Sequence, residues 1–213
     1  VYGSLEEDAE RRDFTVNALY YDIADFAIYD FWGGMDDLKN QKLRIIGDPE
    51  TRYREDPVRM MRAIRFAGKF DLEINSKCAD PIRGLSTLLQ DIPAARQFDE
   101  VNKLLLSGQG LVTYRLLKEY KLLQMLFPIL YKEGEDDKAT AIIEQALIDT
   151  DTRIAEGKRV TPAYLYAIML WYPLDQRASA MSFESGMEYY DAFLLAMNEV
   201  LSLQVKTIAI PKR

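Results

Sequence analysis

The sequence predicts an α+β fold, in which a short segment of strands and helices is followed by an all-α region. Two runs rich in β-branched and aromatic residues, 14–21 and 27–31, flank the polar residues 22–25, as in a β-hairpin. After Gly47 the apolar residues recur with a helical period to the end of the chain. A chain of 213 residues, of which 48% are hydrophobic, can bury one substantial core or two small ones.

The first elements are short. Ser4 is followed three residues later by Glu7, a capping-box pattern that predicts a helix over 5–12. After the hairpin, the glycine pair at 33–34 is followed by a predicted helical turn over 35–40 and a strand over 42–46. Three short strands are weakly stable alone. We therefore expect them to complete a sheet that begins before Val1.

Helix-start residues and terminating glycines predict the later helices. Asp56 stands before Pro57, and Thr161 before Pro162, an arrangement typical of a cap followed by a first-turn proline. The predicted helices cover residues 57–70, 76–89, 93–106, 109–120, 137–156, 162–172 and 189–203.

The helix predicted over 57–70 has two distinct faces. At 100° per residue its apolar side chains fill one arc, and Arg59, Arg62, Arg65 and Lys69 fill most of the other. No acid follows on this helix to pair with the arginines. Residues 44–70 carry a net charge of +3, although the whole chain carries −7. We interpret the stripe as an anion site and not as a solvated face, and treat Arg52 and Arg54 as ordinary solvated charges.

A second polar cluster lies at the predicted junction between the first helix and the hairpin. Arg11 and Arg12 could clamp a phosphate, Asp13 could hold a hard cation or orient an arginine, and Asn17 could donate to an anion. The alternative is a surface cluster that balances the acids of the first helix, Glu6, Glu7, Asp8 and Glu10.

Composition excludes several kinds of chemistry. Histidine is absent, which removes histidine acid–base catalysis and the usual zinc sites. The single cysteine, Cys78, cannot form an intramolecular disulfide and favours a reducing compartment. Any metal would have to be a hard cation on carboxylates. No apolar run is long enough to span a membrane, so we expect a cytoplasmic protein without a membrane partner.

Three long motifs resemble the class II nucleotidyltransferases, which comprise the bacterial poly(A) polymerases and the CCA-adding tRNA nucleotidyltransferases. They are RRDFTVNALYYD at 11–22, FWGGMDDL at 31–38 and RYREDPVRMMRAIRFAGKF at 52–70. The runs at 151–154 and 162–173 and the terminal IPKR are more similar to the poly(A) polymerases. The resemblance implies the last part of a polymerase-β-like head at 1–48, a helical neck at 49–130 and an RNA-binding helical body at 131–213.

The resemblance also implies roles for individual residues. Asp13 would be catalytic, beside the metal-binding acids, and Arg12 would contact the triphosphate. Asp56 and Arg59 would read the incoming base with help from Arg62, while Arg65 matches a further nucleotide position of the family. Asn17 is a further candidate nucleotide contact from the residue pattern alone. The implied function is template-independent addition of AMP from ATP to RNA 3′ ends with Mg²⁺, and the implied partners are ATP and RNA without DNA.

The family's glycine-rich motif and its D-x-D pair, which hold the magnesium ions, would fall before Val1. We therefore expect no metal ligand within residues 1–213, and no activity from these residues alone. Two alternatives stay open. A CCA-adding enzyme would share Arg12, Asp56 and Arg59, and a non-catalytic helical RNA-binding module would use the basic stripe without chemistry.

Overall fold

The computed structural model describes residues 3–132, 134 and 136–210, in two units, Val1–Leu88 and Leu89–Arg213. The predicted α+β class is confirmed, with short strands in the first unit and helices in both. The predicted boundaries between head, neck and body, at residues 48 and 130, stay predictions. Of the terminal IPKR run, residues 211–213 lie outside the described residues.

The first unit begins with a helix and a hairpin, as predicted. Helix α1 (Leu5–Glu10) has the predicted capping box, in which the side chain of Ser4 accepts from the amide of Glu7. Strands β1 (Leu19–Tyr21) and β2 (Ile28–Asp30) are antiparallel, with Tyr20 opposite Tyr29. Both are shorter than predicted, β1 because Thr15–Asn17 forms a 3₁₀ turn.

Among the described residues, the third strand belongs to a second sheet and not to the hairpin. Helix α2 (Gly34–Lys39) lies where a helical turn was predicted, and β3 (Lys42–Leu43) follows it. Strand β3 pairs in parallel with β4 (Glu73–Ile74), a strand that the sequence did not predict. The connection between them contains two helices, as parallel pairing requires a long crossover.

Those two helices are α3 (Pro49–Glu55) and α4 (Val58–Phe70). Helix α3 was not predicted, although Asp48 caps it by accepting from the amide of Thr51 at 2.9 Å. Helix α4 begins one residue later than predicted. Asp56 is the capping residue that follows α3, and its Oδ1 accepts from the amide of Val58 at 3.2 Å. It therefore satisfies one amide at the start of α4. Most of the predicted apolar face is buried, including Met60, Met61, Ala63 and Ile64, whereas Phe70 at its end is 50% exposed.

The remaining helices are α5 (Ser76–Leu85), α6 (Ala94–Leu105), α7 (Gly110–Glu119), α8 (Leu123–Leu126), α9 (Asp137–Ala155), α10 (Pro162–Ser185) and α11 (Tyr189–Gln204). Helix α5 continues as a 3₁₀ turn, Ser86–Asp91, and α8 was not predicted. The predicted end of α10 at residue 172 is wrong, since the helix continues through Pro173. Leu174 and Ala178 beyond the proline are buried, which offsets the hydrogen bond that Pro173 cannot donate.

Among the described residues, no helix has the length and apolar character needed to cross a membrane. Cys78 is buried, and burial raises the pKa of its thiol.

Helix α7 is capped by a side chain from another helix of the second unit. The carboxylate of Asp151 accepts from the amides of Gly110 at 2.8 Å and Leu111 at 3.1 Å. We expect Asp151→Ala to lower the free energy of unfolding by about 1–2 kcal/mol, as the loss of a helix cap does. Urea unfolding measures it. Asp149→Ala is the control, because Asp149 is exposed and accepts from the exposed side chain of Gln145 at 3.0 Å; equal losses for both variants would contradict the capping role.

Candidate functional site

In the RRDFT segment, residues 11–15, the backbone of Phe14 is extended. Phe14 forms an antiparallel bridge with Ile45. The carbonyl of Asp13 accepts from the amide of Ile46 at 2.9 Å, and the amide of Thr15 donates to the carbonyl of Arg44 at 3.0 Å. The buried ring of Phe14 lies 5.3 Å from that of Phe66 on α4. These contacts fix the backbone of Asp13 next to the polar face of α4.

Asp13 joins the two predicted clusters into one. Its Oδ1 accepts from Nε of Arg59 at 3.1 Å, and its Oδ2 lies 2.6 Å from Nη1 of Arg62. Asp13 is 7% exposed, so the bonds are shielded from water and from salt. The helix itself carries no acid, as its sequence shows, and Asp13, which could orient an arginine, contacts two of the arginines. The partner is 46 residues away in sequence, too far for helical spacing to indicate it.

Arg59 is also held from α3. Its Nη1 donates to Glu55 at 2.8 Å and to the carbonyl of Arg52 at 2.8 Å. The bond from Arg59 lowers the pKa of the Glu55 carboxyl. With contacts to two carboxylates and one carbonyl, the guanidinium of Arg59 has a defined orientation, and such a fixed fork suits planar recognition.

Arg52 is not the solvated charge that was predicted. Its Nη2 donates to the carbonyl of Arg12 at 2.9 Å, and its Nη1 bonds to Glu55 at 3.1 Å. It therefore ties α3 to the backbone of the RRDFT segment. Arg54 is exposed, as predicted, and pairs with Glu50.

Arg12 points away from this network. Its Nη2 bonds to Asp8 at 3.0 Å and its Cζ lies 5.7 Å from the centre of the Tyr20 ring. The side chain is 49% exposed, which leaves part of the guanidinium accessible to an anion. Arg11 also pairs with Asp8 and is 75% exposed.

The other predicted site residues have local contacts. Oδ1 of Asn17 accepts from the amide of Phe14 at 3.2 Å and so closes the 3₁₀ turn. The guanidinium of Arg65 lies 5.3 Å from the centre of the Phe66 ring. Nε of Arg62 and Nε of Arg65 are buried without a hydrogen-bond partner among the described residues. The cluster therefore contains more donors than these residues satisfy.

The arrangement suits an anion better than a cation. Both oxygens of Asp13 already accept from arginines, and in the described part of the chain no three acidic, histidine or cysteine side chains form a group that could hold a metal. The residues present therefore do not fit a Mg²⁺ site. Arg52, Arg59 and Arg62 face Asp13 and Glu55, which leaves one excess positive charge.

Sequence reasoning assigned no site role to four residues of this region, although it named Asp8 among the acids that Arg11 and Arg12 would balance, and both arginines do pair with it. Arg52 and Glu55 lie on α3, which was itself not predicted, and Asp8 and Tyr20 approach Arg12 from α1 and β1. Asp8 had a signal, because it precedes Arg12 by one helical turn. Nothing in the sequence indicates that Tyr20 reaches the same carboxylate.

Two family models match the chain. "Poly A polymerase head domain" matches residues 1–44, and "Probable RNA and SrmB- binding site of polymerase A" matches residues 71–133. Poly(A) polymerase I of Escherichia coli O6:H1 is 55% identical over all of this chain, which covers 46% of that relative. The chain thus spans about half the length of the curated relatives that it matches over its whole length.

Other relatives match a smaller part or at lower identity. A CCA-adding enzyme of Streptococcus pyogenes serotype M5 is 44% identical over 49% of this chain and 26% of its own length. Among solved structures, a tRNA-processing enzyme in its apo form I matches 94% of this chain and 55% of its own chain, with a TM-score of 0.68 and 23% identity. At that identity the likeness shows the fold alone.

Proposed function

We propose that this chain is part of a poly(A) polymerase-family nucleotidyltransferase, since that family's head-domain and RNA-binding models match residues 1–44 and 71–133, and that it takes part in template-independent transfer of AMP from ATP to RNA 3′ ends. One observation carries the proposal. The Escherichia coli O6:H1 poly(A) polymerase I matches the chain from end to end, whereas the CCA-adding enzyme of Streptococcus pyogenes matches 49% of it. The proposal concerns the protein that contains these residues, since they span about half of that relative.

The nucleotide is proposed to bind at the Asp13–Arg59–Arg62 cluster. Arg59 and Asp56 read the edge of the adenine, because that edge presents one donor beside an acceptor and an arginine–aspartate pair offers the complement. A base reader fixed in the protein replaces the template strand. The orientation of Arg59, set by Asp13, Glu55 and the Arg52 carbonyl, supports this role.

The other predicted site residues are proposed to contact the nucleotide or to position those that do. Arg12 contacts the triphosphate with its exposed guanidinium, and Arg62 supports Arg59 from the same carboxylate. Arg65 and Asn17 are proposed as further nucleotide contacts. The direct catalytic role predicted for Asp13 stays a prediction, and its two arginine bonds favour a positioning role, in which it acts through the arginines.

The metal, the second substrate and the location are proposed in less detail. Mg²⁺ is the family's implied metal, and no step of the reaction is assigned to it, because the described residues do not fit a metal site. RNA is the proposed second substrate, with binding assigned to the helical segments 49–130 and 131–213. A cytoplasmic location is proposed from the lone cysteine.

Nucleotide incorporation tests the function. In a chimaera, residues 1–213 replace the matching 46% of the Escherichia coli O6:H1 poly(A) polymerase I. We expect the chimaera to extend a generic RNA 3′ end with ATP, and to use CTP at least about tenfold less well. The unmodified relative is the control for the assay.

Two outcomes would support the alternatives. Addition of CTP to a tRNA that lacks its CCA end, without extension of generic RNA, would favour a CCA-adding enzyme. RNA binding by residues 1–213, combined with a chimaera that Arg59→Ala leaves fully active, would favour a non-catalytic module.

A further inference from the structure

A hydrogen-bonded cluster outside the arginine stripe contains two residues that none of the predicted roles includes. The hydroxyl of Tyr20 donates to Oδ2 of Asp8 at 2.6 Å. The same oxygen accepts from Nη2 of Arg12 at 3.0 Å, and Nε of Arg12 is 3.3 Å from it. The other oxygen of Asp8 accepts from Arg11 at 3.0 Å. One carboxylate thus accepts from three side chains.

Tyr20 is the rigid member of this cluster. Its ring packs against the buried residues Ala9, Ala18 and Ile46, and its backbone is paired with Tyr29 in the hairpin. The face of the ring lies under the guanidinium of Arg12, at 5.7 Å, within the range of a cation–π contact. Arg12 is therefore in contact with Tyr20 directly and through Asp8.

Exposed ion pairs on a helix are usually worth little, because the long side chains lose entropy when they pair. In this cluster Tyr20 reduces that loss of entropy. Its packed ring holds the hydroxyl in place, and the hydroxyl orients the carboxylate of Asp8. The hydroxyl of Tyr20 and the guanidinium of Arg12 lower the pKa of Asp8, which keeps the carboxylate charged. The remaining face of Arg12 stays accessible.

We propose that Asp8 and Tyr20 are positioning residues that hold Arg12 in the orientation in which it binds the triphosphate of ATP. The inference rests on the proposed function, because that function assigns Arg12 to the triphosphate. A guanidinium that is already oriented loses less conformational entropy when the nucleotide binds, so the cluster increases affinity for ATP without touching it.

The test compares ATP with AMP as ligands of residues 1–213, by displacement of a fluorescent ATP analogue. Tyr20→Phe keeps the ring and removes only the hydroxyl. We expect it to weaken ATP about three- to tenfold, as the loss of one hydrogen bond does, and to leave AMP within twofold, because AMP lacks the β- and γ-phosphates. Asp8→Asn should act in the same direction.

Tyr29→Phe is the matched control, because Tyr29 lies opposite Tyr20 and its hydroxyl bonds to Asp25 at 3.0 Å. It should change neither ligand. In an Arg12→Ala background, Tyr20→Phe should have no further effect on ATP, whereas a purely structural role would still show one. Thermal unfolding of each variant checks that the fold is retained.

The remaining outcomes distinguish failure of the positioning role from failure of the proposed triphosphate contact. If Arg12→Ala weakens ATP and Tyr20→Phe does not, the positioning role is overturned and the proposed site stands. If Tyr20→Phe weakens ATP and AMP equally, the residue acts on the fold, and the positioning role is again overturned. If Arg12→Ala leaves ATP binding unchanged, the triphosphate contact itself is wrong.

Discussion

Asp13→Asn is expected to lower AMP addition by the chimaera at least about 100-fold. The variant keeps the size of the side chain and removes the charge that Arg59 and Arg62 share. An amide can accept from one guanidinium, but its NH₂ group then faces the other. The two arginines would separate, and a displacement of about 1 Å at reacting or binding groups can cost about 100-fold in rate.

The same change should lower stability. Removing one partner of a buried ion pair costs about 3–5 kcal/mol, and Arg62 is one-third exposed, so the expected loss is about 2–3 kcal/mol. Urea unfolding of residues 1–213 measures it. The control is Glu50→Gln, which removes the carboxylate from the exposed pair with Arg54. AMP addition within about twofold of the unsubstituted chimaera would contradict a shared role for Asp13.

Arg59→Lys is expected to reduce the preference for ATP over CTP and GTP by about 10- to 100-fold, the range for loss of one bidentate contact to a base. Arg59 bonds at once to Asp13, Glu55 and the carbonyl of Arg52. A lysine ammonium carries the same charge but cannot present a planar fork in a fixed plane. Incorporation of each nucleotide by the chimaera measures the preference.

Arg54→Lys is the matched control for that change. Arg54 is on the preceding helix, pairs with Glu50 through two of its nitrogens and is half-exposed. Its substitution should leave nucleotide preference unchanged. If Arg59→Lys also leaves preference and KM for ATP unchanged, Arg59 does not read the base.

The sequence allowed the character of α4 to be predicted, because local periodicity sets it. The apolar arc that contains Met60 and Ile64 is buried, and the opposite arc carries the arginines. The start of the helix was also close to the prediction, since Asp56 does bond to a first-turn amide. These features depend on residues within one or two turns of each other.

The tertiary partners could not be predicted in the same way. Arg59 contacts Asp13 and Arg52 contacts the Arg12 carbonyl across at least 40 residues. These contacts depend on the pairing of residues 13–15 with residues 44–46. Helix α3 was missed because it is only seven residues long, too short for a clear period. The end of α10 was placed wrongly because a proline is a weaker signal than the burial of the residues after it.

Photolabelling with 8-azido-ATP tests the central claim most directly, namely that the junction of α1, α3 and α4 binds the nucleotide. Residues 1–213 are irradiated with the analogue, digested, and mapped by mass spectrometry. The label is expected on peptides within 11–17 or 49–70, and excess ATP should remove it. Labelling confined to residues 89–210, or labelling that ATP does not reduce, would contradict the proposed site.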